Sequence, residues 1–339
     1  MGSALANAMV RAGMETRLWG TWLDDHLIDA IEAGEPHPRI NVRIDRAVST
    51  YRSDALEAAL DGANVVVLAV ASVGVPKVSE MALPGIATAD ALWLTSKGFY
   101  TADDGSIHLL PEGIRLVAEK AGTDLPPIVA IAGPVKANEC AAGEPTATVF
   151  GCQDIEVAKK YAKEASSARY CIEPSGDEVG VELCAPMKNV YAITLGIADG
   201  LEEKTGRPHH NLKAATFAQA VKEMSILSTA LGADPVTAFG LPGVGDLEVT
   251  GLSGRNKVYG TRIGRGEGAK AALETMTELE QTVEGVPAIS LAISLVEQRA
   301  PELQPRLPLL MAAKRIVLDD APNFEELVTD AVLPTQEEK

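Results

Sequence analysis

The chain has 339 residues, 46% of them hydrophobic and 23% charged, a globular composition sized for two ordinary domains or one large one. Thirty basic residues against 47 acidic ones leave a formal charge of −17, which repels nucleic acid and anionic membranes and excludes both as partners. Cys140, Cys152, Cys171 and Cys184 form no CxxC pair, and the five histidines form no HExxH-type array, so reduced thiols, a cytoplasmic protein and no metal site are expected. The longest apolar run, Val65 to Val75, is broken by Ser72 and Gly74 and falls short of the ~20 residues a spanning helix needs. No signal peptide is visible at the start.

In chain order, Ser3 to Ala12 reads as a helix ended by Gly13, and Thr16 to Gly20 as a short strand. Helices follow at Leu23 to Ala33 and, behind Ser53 as N-cap, at Asp54 to Leu60. Then come the apolar runs Val65–Ala71, Ala91–Thr95, Ile128–Ala132, Ala147–Phe150 and Arg169–Ile172, separated by helical segments. Such runs indicate strands buried on both faces of a parallel sheet, hence a doubly wound α/β domain of the Rossmann type. From about Asp177 the strand signal stops and helical spacing takes over, as in Val190, Ile193, Ile197 and Leu201. The expected domains are 1–176 (dinucleotide-binding), 177–333 (all-helical, substrate-binding) and a tail at 334–339.

A dinucleotide fold begins with a strand, then GxGxxG, then a helix whose N-terminus holds the pyrophosphate. This sequence opens inside such a helix, with Gly2 fitting the third glycine. The expectation is a Rossmann domain without its first strand and first two glycines, and weak dinucleotide binding by the chain as written. An acid normally stands about 20 residues after the third glycine to hold the adenosine ribose. Trp19, Gly20 and Thr21 occupy that window and Asp24 is the first carboxylate, so strict NAD use is not indicated and NADP is favoured.

Ligands of open α/β sheets bind beyond the carboxyl ends of the strands. Those ends carry Ala71-Ser72, Ser96-Lys97-Gly98 and Gly133-Pro134-Val135-Lys136, which puts a lysine on a glycine turn beside two other loops. In the helical half Lys188 stands at the start of an Ala-, Ile- and Val-rich helix, where it serves no packing purpose and is a candidate for proton transfer. Six glycines between Gly240 and Gly260 argue against a regular helix there and for close approach of backbone to a ligand. Arg255-Asn256, within that stretch, suits a phosphate.

The segments TSKGF (95–99), AGPVKANECAAGEPTA (132–147), VELCAPMKNVYAITLGIADGL (181–201), AFGLPGVGDLEVT (238–250), SGRN (253–256) and TVEG (282–285) occur in this order. In these motifs nearly the whole chain resembles the NAD(P)-dependent sn-glycerol-3-phosphate dehydrogenases. The resemblance implies interconversion of dihydroxyacetone phosphate and sn-glycerol 3-phosphate with NADP or NAD, a homodimer, and a role in glycerophospholipid synthesis. It implies that Lys188 is the proton donor and acceptor, and that Lys97 binds both substrate and nicotinamide. It implies further that Gly133, Asp246, Thr250, Gly254, Arg255 and Asn256 complete the substrate and cofactor contacts. Gly2, Thr21, Ala137, Thr282 and Glu284 are expected on the cofactor side. The sequence departs from the family at Gln219, where relatives commonly have arginine, at Val135, and in a polar extension from Glu202 to His210. Two other readings stand beside it: a dehydrogenase of another polyol phosphate or hydroxy acid with the same architecture, and a non-catalytic binding protein.

Overall fold

The computed structural model describes residues 1–333; the expected tail lies outside the described residues. The strands are β1 (Thr16–Trp19), β2 (Val48–Tyr51), β3 (Val65–Leu68), β4 (Ala91–Leu94), β5 (Phe99–Thr101), β6 (Ile107–Leu109), β7 (Ile128–Ala132), β8 (Thr146–Gly151) and β9 (Tyr170–Ser175). The helices begin with α1 (Gly2–Arg11), α2 (Asp25–Glu32), α3 (Leu56–Leu60), α4 (Val75–Ile86), α5 (Leu110–Ala121), α6 (Ala137–Ala142), α7 (Ile155–Ala165) and α8 (Glu178–Thr205). They continue with α9 (His210–Ala230), α10 (Asp246–Ser253), α11 (Arg255–Arg265), α12 (Ala269–Glu278), α13 (Gly285–Arg299), α14 (Pro308–Val317) and α15 (Phe324–Val332). Two compact units result: Met1–Tyr100 with Leu109–Glu182, and Thr101–His108 with the chain from Leu183 onward.

The first unit is α/β. Its five-stranded sheet has the order β3-β4-β7-β8-β9, and β4 and β7 are buried at every position, which is why they read as unbroken apolar runs. Leu92 and Leu94 of β4 join Val66, Leu68, Val78, Ile86 and Ile114 on one side. Ala91 and Trp93 join Ala4, Leu5, Ala8, Phe150 and Tyr161 on the other. Burial of each such Leu, Ile or aromatic side chain contributes roughly 1.5–3 kcal/mol. Trp93 is held edge-on by Phe150 and Tyr161, with ring centroids 4.9 and 5.4 Å away.

The sheet is not parallel throughout, as the apolar runs had suggested. β3, β4 and β7 are parallel, β8 is antiparallel to β7, and β9 is parallel to β8. The connections explain this. α6 has 6 residues, about 9 Å of helix, too short to return along a strand of about 17 Å, so β8 starts from the edge where β7 ends. α7 has 11 residues and makes the crossover that keeps β9 parallel to β8. β1 and β2 pair in parallel as a separate two-stranded sheet, and among the described residues no strand joins β1 to β3. β2, β5 and β6 carry too few apolar residues to be read from the sequence. Ser53 does not cap a helix by its side chain; it opens a 3-10 turn, and its hydroxyl donates to Asp25 at 2.9 Å.

The second unit is helical apart from the Thr101–His108 segment and is organised by α8 from Leu183 onward; the helix starts at Glu178 and not near Lys188, so that lysine lies mid-helix. α8 continues to Thr205 and α9 starts at His210, so most of the Glu202–His210 segment, expected as loop, is helix. The glycine-rich stretch is also helical, against expectation: a π-helical turn (Leu241–Gly245) leads into α10, and only Gly254 separates α10 from α11. Its glycines let backbone approach backbone. A Cβ at Gly260 would sit 1.9 Å from the Ile193 carbonyl oxygen, and one at Gly264 2.2 Å from that of Ile197. On the facing helix, Cβ atoms at Gly196 and Gly200 would lie 2.2 Å from the carbonyl oxygens of Lys257 and Thr261. α8 and α11 therefore touch along their backbones.

Gln219 has a structural partner. Its amide donates to Glu223 at 2.8 Å, and the same buried carboxyl accepts from Tyr191 Oη at 3.0 Å and from the backbone N–H groups of Leu309 (2.6 Å) and Leu310 (2.9 Å). Glu223 thus caps the N-terminus of α14. Among the described residues no helix is long and apolar enough to cross a membrane. All four cysteines are free thiols, and Cys171 alone of them is exposed.

Candidate active site

In the first unit the carboxyl ends of β3, β4 and β7 gather the residues that sequence pointed to. A Cβ at Gly2, which opens α1, would stand 3.2 Å from Ala69 Cβ just past β3, so the helix start is pressed against that strand end. Gly98 is tighter still against Ser72, whose Cβ would be 2.3 Å from an added methyl. Gly133 has φ 151° and would collide with the Thr148 backbone at 2.9 Å, so only glycine fits the turn after β7. Lys97, Gly133, Val135, Thr95, Thr148 and Met1 surround a small cavity of about 20 Å³. Val135, a departure from the family pattern, supplies part of its wall. Ala137 opens α6. Thr21, beyond β1, is buried and donates its hydroxyl to Asp24 at 2.6 Å.

These residues fit a dinucleotide. α1 has no side-chain cap, so its first-turn N–H groups face the strand ends without an internal partner, and a glycine starts the helix where a backbone must come close. The strand-end loops then supply Lys97, Lys136 and tight glycine turns. The same unit buries Glu182, 2% exposed, whose Oε1 has no hydrogen-bond partner. Burial pushes its carboxyl well above the ordinary 4.5, Glu178 adds to the shift, and Lys97 opposes it. An acid raised in this way binds its proton more tightly in the folded chain. Its stabilising contribution is complete below pH 4.5 and is lost as pH rises toward the folded-state value. Glu182→Gln, which does not titrate, should therefore melt with the parent below pH 4.5 and above it at neutral and alkaline pH; a gap that narrows as pH rises would contradict this.

In the second unit, three side chains from two helices meet. Lys188 of α8 is 8% exposed, and its ammonium donates to Asp246 Oδ1 and to Thr250 Oγ1, both at 2.7 Å. Asp246 and Thr250 are one turn apart on α10, so a single helix face presents a carboxylate and a hydroxyl to one ammonium. Asp246 is 1% exposed, so the ion pair is buried and hydrogen-bonded rather than solvated.

A second polar chain adjoins it in sequence. Asn256, buried at the start of α11, donates to Asn189 Oδ1 at 3.0 Å and accepts from the Gly285 N–H at 2.8 Å. Asn189 donates in turn to Glu284 at 3.3 Å, and Arg255, half exposed, lies 3.4 Å from the other Glu284 oxygen. Gly254, with extended backbone, precedes α11 as its N-cap, so the Arg255-Asn256 pair sits in the first turn of a helix. Thr282 is exposed ahead of α13 and has no side-chain bond in this network. Sequence reasoning passed over Asn189, although a polar pair inside an apolar helix was a signal. It also missed Asp199, which receives both Lys213 (2.8 Å) and Lys257 (2.9 Å), the latter being the residue after Asn256.

Residues 1–158 match the family description "NAD-dependent glycerol-3-phosphate dehydrogenase N-terminus" and residues 177–328 the corresponding C-terminus. The chain is 35% identical over 286 residues to the NADP(+)-dependent glycerol-3-phosphate dehydrogenase of Archaeoglobus fulgidus, covering 84% of this chain and 83% of that one. It is 31% identical to the glycerol-3-phosphate dehydrogenase [NAD(P)+] of Symbiobacterium thermophilum, with 95% and 88% covered. The crystal structure of the Coxiella burnetii glycerol-3-phosphate dehydrogenase aligns with a TM-score of 0.80 at 27% identity, over 98% of this chain and 97% of that one. The matched stretches contain the Lys188–Asp246–Thr250 cluster and the Arg255–Asn256 pair: this chain belongs to the NAD(P)-dependent glycerol-3-phosphate dehydrogenase family.

Proposed function

We infer that the protein interconverts dihydroxyacetone phosphate and sn-glycerol 3-phosphate with NADP or NAD. The observation that carries this is the buried Lys188 ammonium, fixed by Asp246 and Thr250 next to the Asn189–Asn256–Arg255 chain. When bound, the nicotinamide exchanges a hydride with the carbinol carbon. The chain's own residues manage the proton and the charge. As the ketone is reduced, negative charge grows on its oxygen, and Lys188 delivers a proton to it; in oxidation the lysine takes that proton from the hydroxyl. Asp246 and Thr250 position the ammonium so that little reorganisation is needed during the step. Lys97 and Gly133, at the strand ends of the first unit, serve the nicotinamide.

Arg255 and Asn256 hold the substrate phosphate, assisted by the N–H groups of the first turn of α11 behind Gly254. Binding energy remote from the carbonyl then fixes the carbonyl for reaction. Gly2, Thr21, Ala137, Thr282 and Glu284 serve the dinucleotide in this reading. The free thiols accord with a cytoplasmic protein. Val236 and Phe239, exposed at 67% and 58% on one 3-10 turn, offer apolar surface that a second copy would cover in a homodimer. The product supplies the glycerol phosphate backbone of phospholipids.

The phosphate contact is tested by Arg255→Lys. Loss of the guanidinium fork should weaken dihydroxyacetone phosphate by roughly 1.5–3 kcal/mol, read as KM, while unphosphorylated dihydroxyacetone stays a poor substrate for both forms. Equal losses for the two ketones would show that Arg255 does not read the phosphate.

A further inference from the structure

NADP differs from NAD by one phosphate on the adenosine ribose, and in this fold the edge beyond the strand after the first helix tells them apart by charge. That edge follows β1 here. It holds no carboxylate between Trp19 and Thr21, and the acids beyond it are engaged. Asp24 accepts from the Thr21 hydroxyl at 2.6 Å and lies 3.8 Å from Arg39; Asp25 accepts from Ser53 and pairs with Arg52. Trp22 is 45% exposed, a large indole left in water. Lys77 of α4 places Nζ 4.0 Å from the centre of that ring. Val73, 88% exposed, precedes Lys77 by one helical turn.

Lys77 is oddly placed for a structural residue. It stands in the first turn of α4, where the helix dipole disfavours a cation, and no acid in that turn offsets it. It rests on an aromatic face and not on a carboxylate, in a chain with 17 more acidic than basic residues. An anion at this point would relieve the dipole conflict and satisfy the ammonium together.

We propose that Lys77, held over Trp22, is the specificity-determining residue that receives the adenosine 2′-phosphate of NADP(H), with Trp22 and Val73 as apolar walls for the adenine, so that the chain prefers NADPH to NADH. This rests on the reading of the protein as a nicotinamide-dependent dehydrogenase. The phosphate takes the ammonium as partner, while the indole keeps its contact with the base.

Calorimetric titration of NADPH and NADH into the full chain, with tryptophan fluorescence alongside, tests it. The parent should bind NADPH at least ~10-fold more tightly than NADH. Lys77→Ala, at an exposed position, should lose about 10-fold for NADPH and less than about 2-fold for NADH, and Lys77→Arg should retain the preference. Equal affinities in the parent, or equal losses for both dinucleotides in Lys77→Ala, would overturn this assignment and leave the dehydrogenase reading standing. Binding of neither dinucleotide to the parent would overturn both.

Discussion

Lys188→Ala should lower kcat by at least ~10²-fold, the scale of a lost general acid, while dinucleotide affinity changes little. The substitution also leaves Asp246, 1% exposed, without its cation, and an uncompensated buried charge costs about 3–5 kcal/mol. The double variant Lys188→Ala/Asp246→Asn removes that charge. It should recover most of the lost thermal stability and none of the turnover. If the double variant regains activity along with stability, the single variant failed through folding and Lys188 is not the proton donor. A single variant that keeps more than about a tenth of parental turnover would remove Lys188 from the mechanism directly.

Gly260→Ala should destabilise the protein by about 3 kcal/mol or more, because the new methyl would lie 1.9 Å from the Ile193 carbonyl oxygen and neither partner is a flexible side chain. α8 and α11 would have to separate. The effect should reach the chemistry, since α8 carries Lys188 and Asn189 and α11 carries Arg255 and Asn256. Gly176→Ala is the control: its nearest neighbour would be Ile155 Cβ at 3.9 Å, and its cost should stay within about 1 kcal/mol. Thermal melting of the two variants checks the comparison, and an unchanged melting temperature for Gly260→Ala would refute the backbone contact between the helices.

What the sequence disclosed, and what it hid, follows from the range of the interactions concerned. β7 was read to the residue and β4 within one, because both are buried at every position and carry only apolar side chains; β3, β8 and β9 were read within a few from their apolar cores. The direction of β8 was hidden, since apolar runs carry no sign; it depends on the length of α6. β2 and β5 were hidden because VSTY and FYT, half exposed, bury too little to leave a pattern. The glycine-rich stretch misled for a physical reason. Glycine lowers helix propensity, yet Gly260 and Gly264 are demanded by a facing helix some 60 residues away in sequence, and tertiary contact overrides propensity. Lys188 stood out because a lysine inside an apolar helix has no packing purpose. The resemblance pointed to Asp246 and Thr250 as site residues, but their bonds to Lys188 were hidden, because they reach it across 58 and 62 residues. Gln219 read as an unexplained departure until its bond to Glu223 showed that it serves a helix cap.

The most direct test of the functional account is oxidation of NADPH and NADH followed with dihydroxyacetone phosphate, beside dihydroxyacetone, other ketose phosphates and 2-keto acids as competing substrates. The account predicts rapid oxidation with dihydroxyacetone phosphate alone, stoichiometric formation of sn-glycerol 3-phosphate, and loss of the signal in Lys188→Ala. Binding of the dinucleotide without oxidation, or faster turnover of a ketone that lacks the phosphate, would contradict it.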